Sequence, residues 1–574
     1  MTWIHRWIVD LFNTLAAWFY RRKYGAVARQ LGRPLDEGDD ERRGFIIIEL
    51  DGVAYDYIRL ALREGAMPYL ARLLAGRRLR LARWRCGLPS TTPASQAGIM
   101  FGNNWDIPGF RWYDKASGEA IMCKLPGMVR AVQERISAGR AGLLRGGSSY
   151  TNMFDGDARL ALFTLSAMGR HRWFENVRGL GFLILFGLSP IRVVKMLALS
   201  LWAWLVYVVK RFLNWLRPRQ SHFTFLGPLL EIANNIIFRE VTTFSVMVDV
   251  YRGMPAIYAG YTGYDEIAHH FGADSPEALR ALRSMDKQIR QIDRMRQVYR
   301  QRHYDLYILS DHGMTPAVPF RDRYGQTLEH FLAERTGQDV QAARAWDESE
   351  GLPEARAQFL VDEIRGLEAR AQRPFSTRLW QATRRQLEER LLAEALEAEW
   401  DLARRGEIAV RNSGSLSHVY FDVTPRQMDL SEVALLYPRL LDALVRHEGI
   451  GFVAGREGSS VVLTGREGTL WCGPEEERLE GRHPLAGYGD PGWAVDQVAR
   501  LAHFPHAGDL ILFGAWDGQA VVCFEEQVGC HGGLGGPQDW PFLAFPPEAR
   551  LAPGGIRNAE EVYSRLVGMY GGYE

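Results

Sequence analysis

The chain has 574 residues, 47% hydrophobic, 24% charged and 11% aromatic, so it can bury a large core and is neither disordered, collagenous nor a disulfide scaffold. Sixty-nine basic against 68 acidic side chains leave a net charge of +1, which speaks against a nucleic-acid partner held by bulk positive charge. Five cysteines (Cys86, Cys123, Cys472, Cys523, Cys530) form no CxxC pair, so neither a zinc-thiolate site nor a disulfide framework is expected.

The apolar residues are unevenly spread, and ten of the 17 tryptophans precede residue 220. Trp7 to Tyr20 is an aromatic-rich stretch interrupted by Asp10 and Asn13 and followed by Arg21, Arg22 and Lys23. It has no small-residue cleavage site and is shorter than the ~20 residues a spanning helix needs. It reads as an interfacial amphipathic helix, the alternative being a helix packed on the core.

GFIIIELDG, Gly44 to Gly52, is a continuous apolar run ending in an acid, the pattern of a buried parallel strand whose carboxyl end carries chemistry. LPSTTPASQAGIMFG, Leu88 to Gly102, is an extended segment followed by a helix of small residues. Pro93 in the first turn predicts Thr92 at the cap, beside free backbone N–H groups and the positive end of the helix dipole. A phosphoryl anion would dock there; a plain Thr cap is the alternative.

Gly179 to Leu216 is the second apolar region, divided by Ser189-Pro190 and Arg192, with Arg170, Arg172 and Arg178 before it and Lys210, Arg211, Arg217 and Arg219 at its far end. Basic flanks on both sides and the Trp202, Trp204 and Tyr207 belt predict a hairpin or in-plane element touching a membrane, rather than a buried helical hairpin. DLYILSDHG, Asp305 to Gly313, repeats the apolar-run-then-Asp pattern and predicts a neighbour of the first strand in one sheet. Ser376 to Arg405 is amphipathic, with Ser376 as cap and Gly406 as stop, and marks a helical insertion.

Metal-ligand types stand at four separated places: Asp51, the pair Asp265 and His269 in GYDEIAHHFG, the pair Asp311 and His312, and His531 in CHGGLGG. Mixed carboxylate and imidazole ligands suit zinc or manganese. Each alone is weak, since a strand-end Asp is often a helix cap and a lone His a satisfied hydrogen-bonder.

The order Asp-Gly (Asp51), Pro-Ser-x-Thr (Thr92), Asp-x-x-x-His (Asp265 to His269), Ser-Asp-His-Gly (Asp311, His312) and a late His-Gly-Gly (His531) resembles the alkaline phosphatase superfamily. Within it the pattern is most similar to the type I phosphodiesterase and nucleotide pyrophosphatase branch. The motif-bearing stretches, about 44–115, 240–320 and 410–550, cover a little over half of the chain.

The resemblance implies an α/β fold with a central, mostly parallel sheet flanked by helices. It implies two divalent metals, zinc before manganese, one held by Asp265, His269 and His531 and the other by Asp51, Asp311, His312 and the nucleophile Thr92. Thr92 is preferred to Thr91 because ten residues separate it from Gly102, the spacing the branch shows. His270 is read as surface or support. In-line attack, a phospho-threonine and its hydrolysis are the implied course, with the metals about 4 Å apart.

Three departures stand beside the resemblance. The branch's phosphoryl-holding Asn falls here on Tyr113, with Asn103 and Asn104 earlier. No Cys-x-Pro-x-Arg signature is present, which argues against a formylglycine sulfatase. NSGSLSHVYF, Asn412 to Phe421, resembles an edge strand that passes near the site, with His418 as a substrate contact, the alternative being a structural strand histidine.

The expected organisation is 1–43 as a membrane-interacting helix and linker, 44–550 as the catalytic domain, and 551–574 as a C-terminal tail. An apolar membrane-associating insertion at 170–220 and a helical insertion at 327–406 interrupt the catalytic domain. The expected function is a membrane-associated phosphodiesterase or phosphatase, acting on an amphiphilic or lipid-linked phosphoester. A transferase using the same phospho-threonine and a non-catalytic membrane scaffold are the alternatives. Asp51 and Thr92 precede the apolar insertion while the other ligands follow it, so the insertion crosses the bilayer an even number of times or not at all. The basic flanks place the catalytic domain on the cytoplasmic side, against the extracytoplasmic habit of many relatives.

Overall fold

A computed structural model of the chain describes residues 43–168, 238–298, 302–338, 340–342, 408–473 and 477–571. The stretches 7–20, 179–216 and 376–405 singled out from the sequence lie outside the described residues. No helix among the described residues is long and apolar enough to cross a membrane.

The fold is mixed α/β around a seven-stranded, mostly parallel sheet. Its strands are β1 (Gly44–Leu50), β2 (Arg80–Arg83), β3 (Ser148–Tyr150), β4 (Leu160–Leu162), β5 (Ala256–Tyr261), β6 (Tyr304–Leu309) and β7 (Phe542–Phe545), in the spatial order β2-β7-β6-β1-β5-β3-β4. The two apolar runs predicted as neighbours are paired: β1 lies parallel to β6, with Phe45 opposite Asp305, and on its other edge parallel to β5, with Phe45 opposite Ala256. Only β7, next to the edge strand β2, runs against the rest, pairing antiparallel with β6 on one side and β2 on the other.

Strand alternation explains how a continuous apolar run serves two faces. Ile46, Ile48 and Leu50 face a core shared with α2 (Arg239–Arg252) and α4 (Pro276–Val298). Phe45 and Ile47 face a second core shared with α1 (Thr92–Phe101) and α5 (Glu560–Tyr570). All five are fully buried, on the order of 10 kcal/mol of gross burial. That is enough to carry the strand inward along with its two acids, Glu49 and Asp51. The short α3 (Gly263–Phe271) follows β5 directly and brings two expected ligands to the carboxyl end of the sheet.

A second, eight-stranded sheet is antiparallel except for the pair Val340–Ala342 with Ile408–Ser413. Here the structure corrects one expectation. Asn412 to Phe421 is not an edge strand; it holds the turn of a hairpin, and Leu416–Phe421 lies inside the sheet between Ile408–Ser413 and Leu510–Gly514. Of the segment 327–406, the described part is the helix Leu328–Thr336, capped by Thr327, and the strand Val340–Ala342. Within 551–574, α5 packs along α1 with Val562 and Leu566 buried.

Candidate active site

The carboxyl ends of β1, β5 and β6 deliver Asp51, Asp265, and Asp311 with His312 to one place. A separate loop brings His531 from the far end of the sequence. That loop is laced to the nucleophile segment: Ser90 N–H donates to Gly532 O at 3.2 Å, and Ser90 Oγ accepts from Gly532 N–H at 3.0 Å and donates to Gly533 O at 3.1 Å. The hairpin turn of the second sheet braces it from the other side, Ser415 N–H donating to His531 O at 3.2 Å.

Gly52 follows Asp51 at φ +71°, and a Cβ there would lie 2.2 Å from Asp265 Oδ1. The Asp-Gly pair is therefore a requirement of space as well as of backbone conformation.

Asp51, Asp311 and His312 place one ligand atom each within 4.8 Å of one another, and so do Asp265, His312 and His531. The first group is as expected. In the second, His312 stands where His269 was expected, while His269 Nε2 lies 3.1 Å from Asp265 Oδ2 and its ring 5.1 Å from that of His531. His312 is thus central: its ring stacks on His531 at 3.8 Å, and its Nε2 lies 3.5 Å from Asp51 Oδ1 and 3.4 Å from Asp311 Oδ2.

The three imidazoles are oriented in one way. Each Nδ1 faces a backbone carbonyl: His269 that of Gly529 at 2.8 Å, His312 that of Gly313 at 2.9 Å, and His531 that of Ser90 at 2.8 Å. A carbonyl only accepts, so each Nδ1 carries the proton and each Nε2 turns its lone pair inward. Asp51 Oδ1, Asp265 Oδ1 and Asp311 Oδ2 are buried beside them and accept no hydrogen bond from the described residues. Buried carboxylate oxygens left in this way are costly unless a cation meets them. The donor set fits a divalent cation of the zinc or manganese kind.

Burial, then Asp311, pushes the Asp51 carboxyl well above its usual range. Burial acts likewise on Asp265, but the imidazoles of His269, His531 and His312 outweigh it and hold that carboxyl below its usual range. Burial lowers His312, against the pull of Asp311.

Thr92 Oγ1 lies 3.1 Å from His312 Nε2, at the rim of this cluster. One detail differs from expectation: Thr91 is the cap residue of α1 and Thr92 its first helical residue, with Pro93 behind it. The hydroxyl still stands at the amino end of the helix. Thr91 is wholly buried, which leaves Thr92 as the accessible hydroxyl.

The three lesser candidates have their polar groups committed elsewhere. Tyr113 OH donates to Asp422 at 3.1 Å. Asn104 is bonded to Asn558, Glu560 and Arg500. His418 is fully buried between Pro108 O and Gly508 N–H. His270 is exposed.

The sequence reading missed a layer behind the ligands. Glu49, on the same face of β1 as Asp51, accepts from Gln96 Nε2 at 2.6 Å and from the Tyr258 hydroxyl. Burial and Asp311 raise its carboxyl well above the usual range. Its signal was an acid interrupting an apolar strand two residues before the ligand.

Residues 237–416 match the model of the type I phosphodiesterase / nucleotide pyrophosphatase family. This segment is of that family. It carries Asp265, His269, Asp311 and His312, and the kinship supports a hydrolase acting on phosphoric esters. Among solved structures, phosphonoacetate hydrolase from Sinorhizobium meliloti 1021, in complex with phosphonoformate, is 15% identical, with 92% of this chain and 96% of that chain covered and a TM-score of 0.45. Murine ectonucleotide pyrophosphatase / phosphodiesterase 5 is 10% identical, with 92% and 95% covered and a TM-score of 0.43. At these scores neither adds weight to the family match. No curated protein gives a significant match.

Proposed function

We propose that the chain is a metal-dependent phosphoric ester hydrolase of the phosphodiesterase kind, with Thr92 as nucleophile. It would be held at a membrane by the 179–216 segment and act on an amphiphilic or lipid-linked phosphoester. The observation that carries the catalytic part is the convergence of three inward Nε2 lone pairs and three buried carboxylate oxygens beside the Thr92 hydroxyl. Asp51, Asp311 and His312 would hold one cation, and Asp265, His269 and His531 the other, with zinc favoured by the ligand set. Bound there, such cations supply charge for the phosphoryl oxygens and acidify a neighbouring hydroxyl.

The protein's own contribution is placement. The first turn of α1 presents Thr92 Oγ together with backbone N–H groups that have no intrahelical partner, a favourable surrounding for a phosphoryl anion. Thr92 Oγ bonds to phosphorus as the ester oxygen leaves with a proton; a water oxygen then displaces Thr92 Oγ and regenerates the hydroxyl.

The membrane part is supported by where the apolar insertion is rooted. β4 ends at Leu162 beside the carboxyl end of β3, and α2 begins at the carboxyl end of β5, where the Thr243 and Tyr261 hydroxyls meet at 2.8 Å. The Phe163 and Phe238 rings pack at 4.4 Å. Described residues on both sides of the insertion in sequence thus lie at the end of the sheet that carries the metal-ligand cluster. The insertion's basic flanks favour the cytoplasmic face for the catalytic domain.

The deciding experiment is hydrolysis of para-nitrophenyl mono- and diesters by zinc-loaded wild type and Thr92→Ala. Thr92→Ala should lose at least about a thousandfold in kcat while keeping its metal. Full activity in Thr92→Ala would remove the nucleophile. Release of product only in the presence of an alcohol acceptor would make the enzyme a transferase.

A further inference from the structure

We infer that Gln96 is a positioning residue, whose amide fixes the nucleophile helix against the metal-bearing strand; this rests on Thr92 being the nucleophile. Gln96 follows Thr92 by four residues on α1, so both lie on one face of the helix, one turn apart. Its two amide ends reach in different directions. Nε2 donates to Glu49 Oε1 on β1 at 2.6 Å, two residues before the ligand Asp51, and Oε1 accepts from Met153 N–H at 2.8 Å, in the segment after β3.

Glu49 is held in turn by the Tyr258 hydroxyl from β5, the strand that leads to Asp265. One buried side chain thereby ties α1, β1 and, through Glu49, β5 into a fixed register. Gln96 is 2% exposed and Glu49 1% exposed, so no water substitutes for either partner without a cavity opening.

The expected consequence is geometric. α1 is a short helix of small residues, with no side-chain cap bond at its amino end. Its other helical neighbours are α5 and the helix Pro126–Ile136. Without Gln96 the Thr92 end can slide along β1, and a shift of about 1 Å at a reacting atom costs on the order of a hundredfold in rate.

The test uses the full chain, zinc-loaded, with a para-nitrophenyl diester, in Gln96→Leu and in the exchanged pair Glu49→Gln with Gln96→Glu. The exchanged pair keeps every bond, since the new carboxylate accepts from both the new amide and Met153 N–H. Gln96→Leu should lower kcat about ten- to a hundredfold, leaving KM and bound zinc within about twofold. Hydrogen exchange of Thr92–Phe101 in the metal-free protein should quicken in the same variant, and the exchanged pair should recover both readouts.

Unchanged kcat in Gln96→Leu, loss of kcat only in step with loss of zinc, or no recovery in the exchanged pair would each overturn the assignment. An inactive Thr92→Ala beside a fully active Gln96→Leu overturns this inference alone. An active Thr92→Ala overturns the nucleophile and this inference with it.

Discussion

His418 sits in mid-strand with both ring nitrogens in use: Nε2–H donates to Pro108 O at 2.8 Å and Nδ1 accepts from Gly508 N–H at 3.0 Å. Protonation would set a second N–H against that amide and place a charge in the core, so burial lowers its pKa from 6.5 to about 4. A folded-state value below the unfolded one means that the folded chain binds fewer protons. The stability contribution of neutral His418 is therefore complete above about pH 6.5 and is lost as pH falls toward 4. By pH 4.5 the loss should reach roughly 2–3 kcal/mol. Urea unfolding at pH 7.5 and pH 4.5 should show wild type losing that much more than His418→Gln. Parallel losses in the two proteins would show that His418 does not titrate in this way. The same buried ring, with both nitrogens bonded, fits the structural reading of this strand histidine.

At the scale of elements, α1 is held between the sheet and α5, and its glycine decides how closely the two helices approach. A Cβ on Gly98 would stand 2.6 Å from Ala559 Cβ and 2.9 Å from the Ala559 carbonyl carbon. Gly98→Ala gains up to about 1 kcal/mol of helix propensity, but forcing atoms into a packed contact costs about 1–3 kcal/mol. The clash should win: we expect a net loss of about 1 kcal/mol in urea unfolding, with faster exchange in α5, and a stabilised variant would contradict it. Elements whose signal is local were legible in the sequence. β1 and β6 announce themselves as apolar runs ending in Asp, and their pairing follows from likeness. The candidate ligands stood out because each is at a strand end or close to a glycine. The central place of His312, whose Nε2 reaches both groups, was not legible, since it depends on its ring stacking on His531 from more than 200 residues further on. The hairpin around Gly414 was misread as an edge because Leu416–Phe421 gains its second neighbour, Leu510–Gly514, from about 90 residues further on. Glu49 and Gln96 escaped for a related reason: each is a single polar residue in an apolar context, and only their contact gives them meaning.

At the scale of the whole molecule, the parallel sheet has a chemical end and an inert end. Asp51, Asp265 and Asp311 stand at the carboxyl end, and there Phe163, before the insertion in sequence, packs on Phe238, after it. Ligands lie on both sides of the insertion in sequence yet meet in one cluster, so any bilayer crossings within it must be even in number. A membrane bound through 179–216 would then lie against the face from which Thr92 is reached, and an amphiphilic phosphoester would need only a short displacement from the bilayer to meet it. Because Phe163 packs on Phe238 at the root, a short Gly/Ser linker replacing the apolar stretch leaves the described fold its own contacts. The deletion should abolish sedimentation with vesicles containing anionic lipid and lower turnover of a lipid phosphoester at least about tenfold, since the local substrate concentration is lost. Hydrolysis of a soluble nucleotide ester should stay within about twofold, because Asp51, Asp265, Asp311, His312 and His531 already come together from described residues on either side of the insertion. Equal turnover of both substrates before and after deletion would sever the apolar segment from substrate choice. Protease digestion of intact cells gives the side: with the basic flanks retained inside, the catalytic domain should be protected until the membrane is breached.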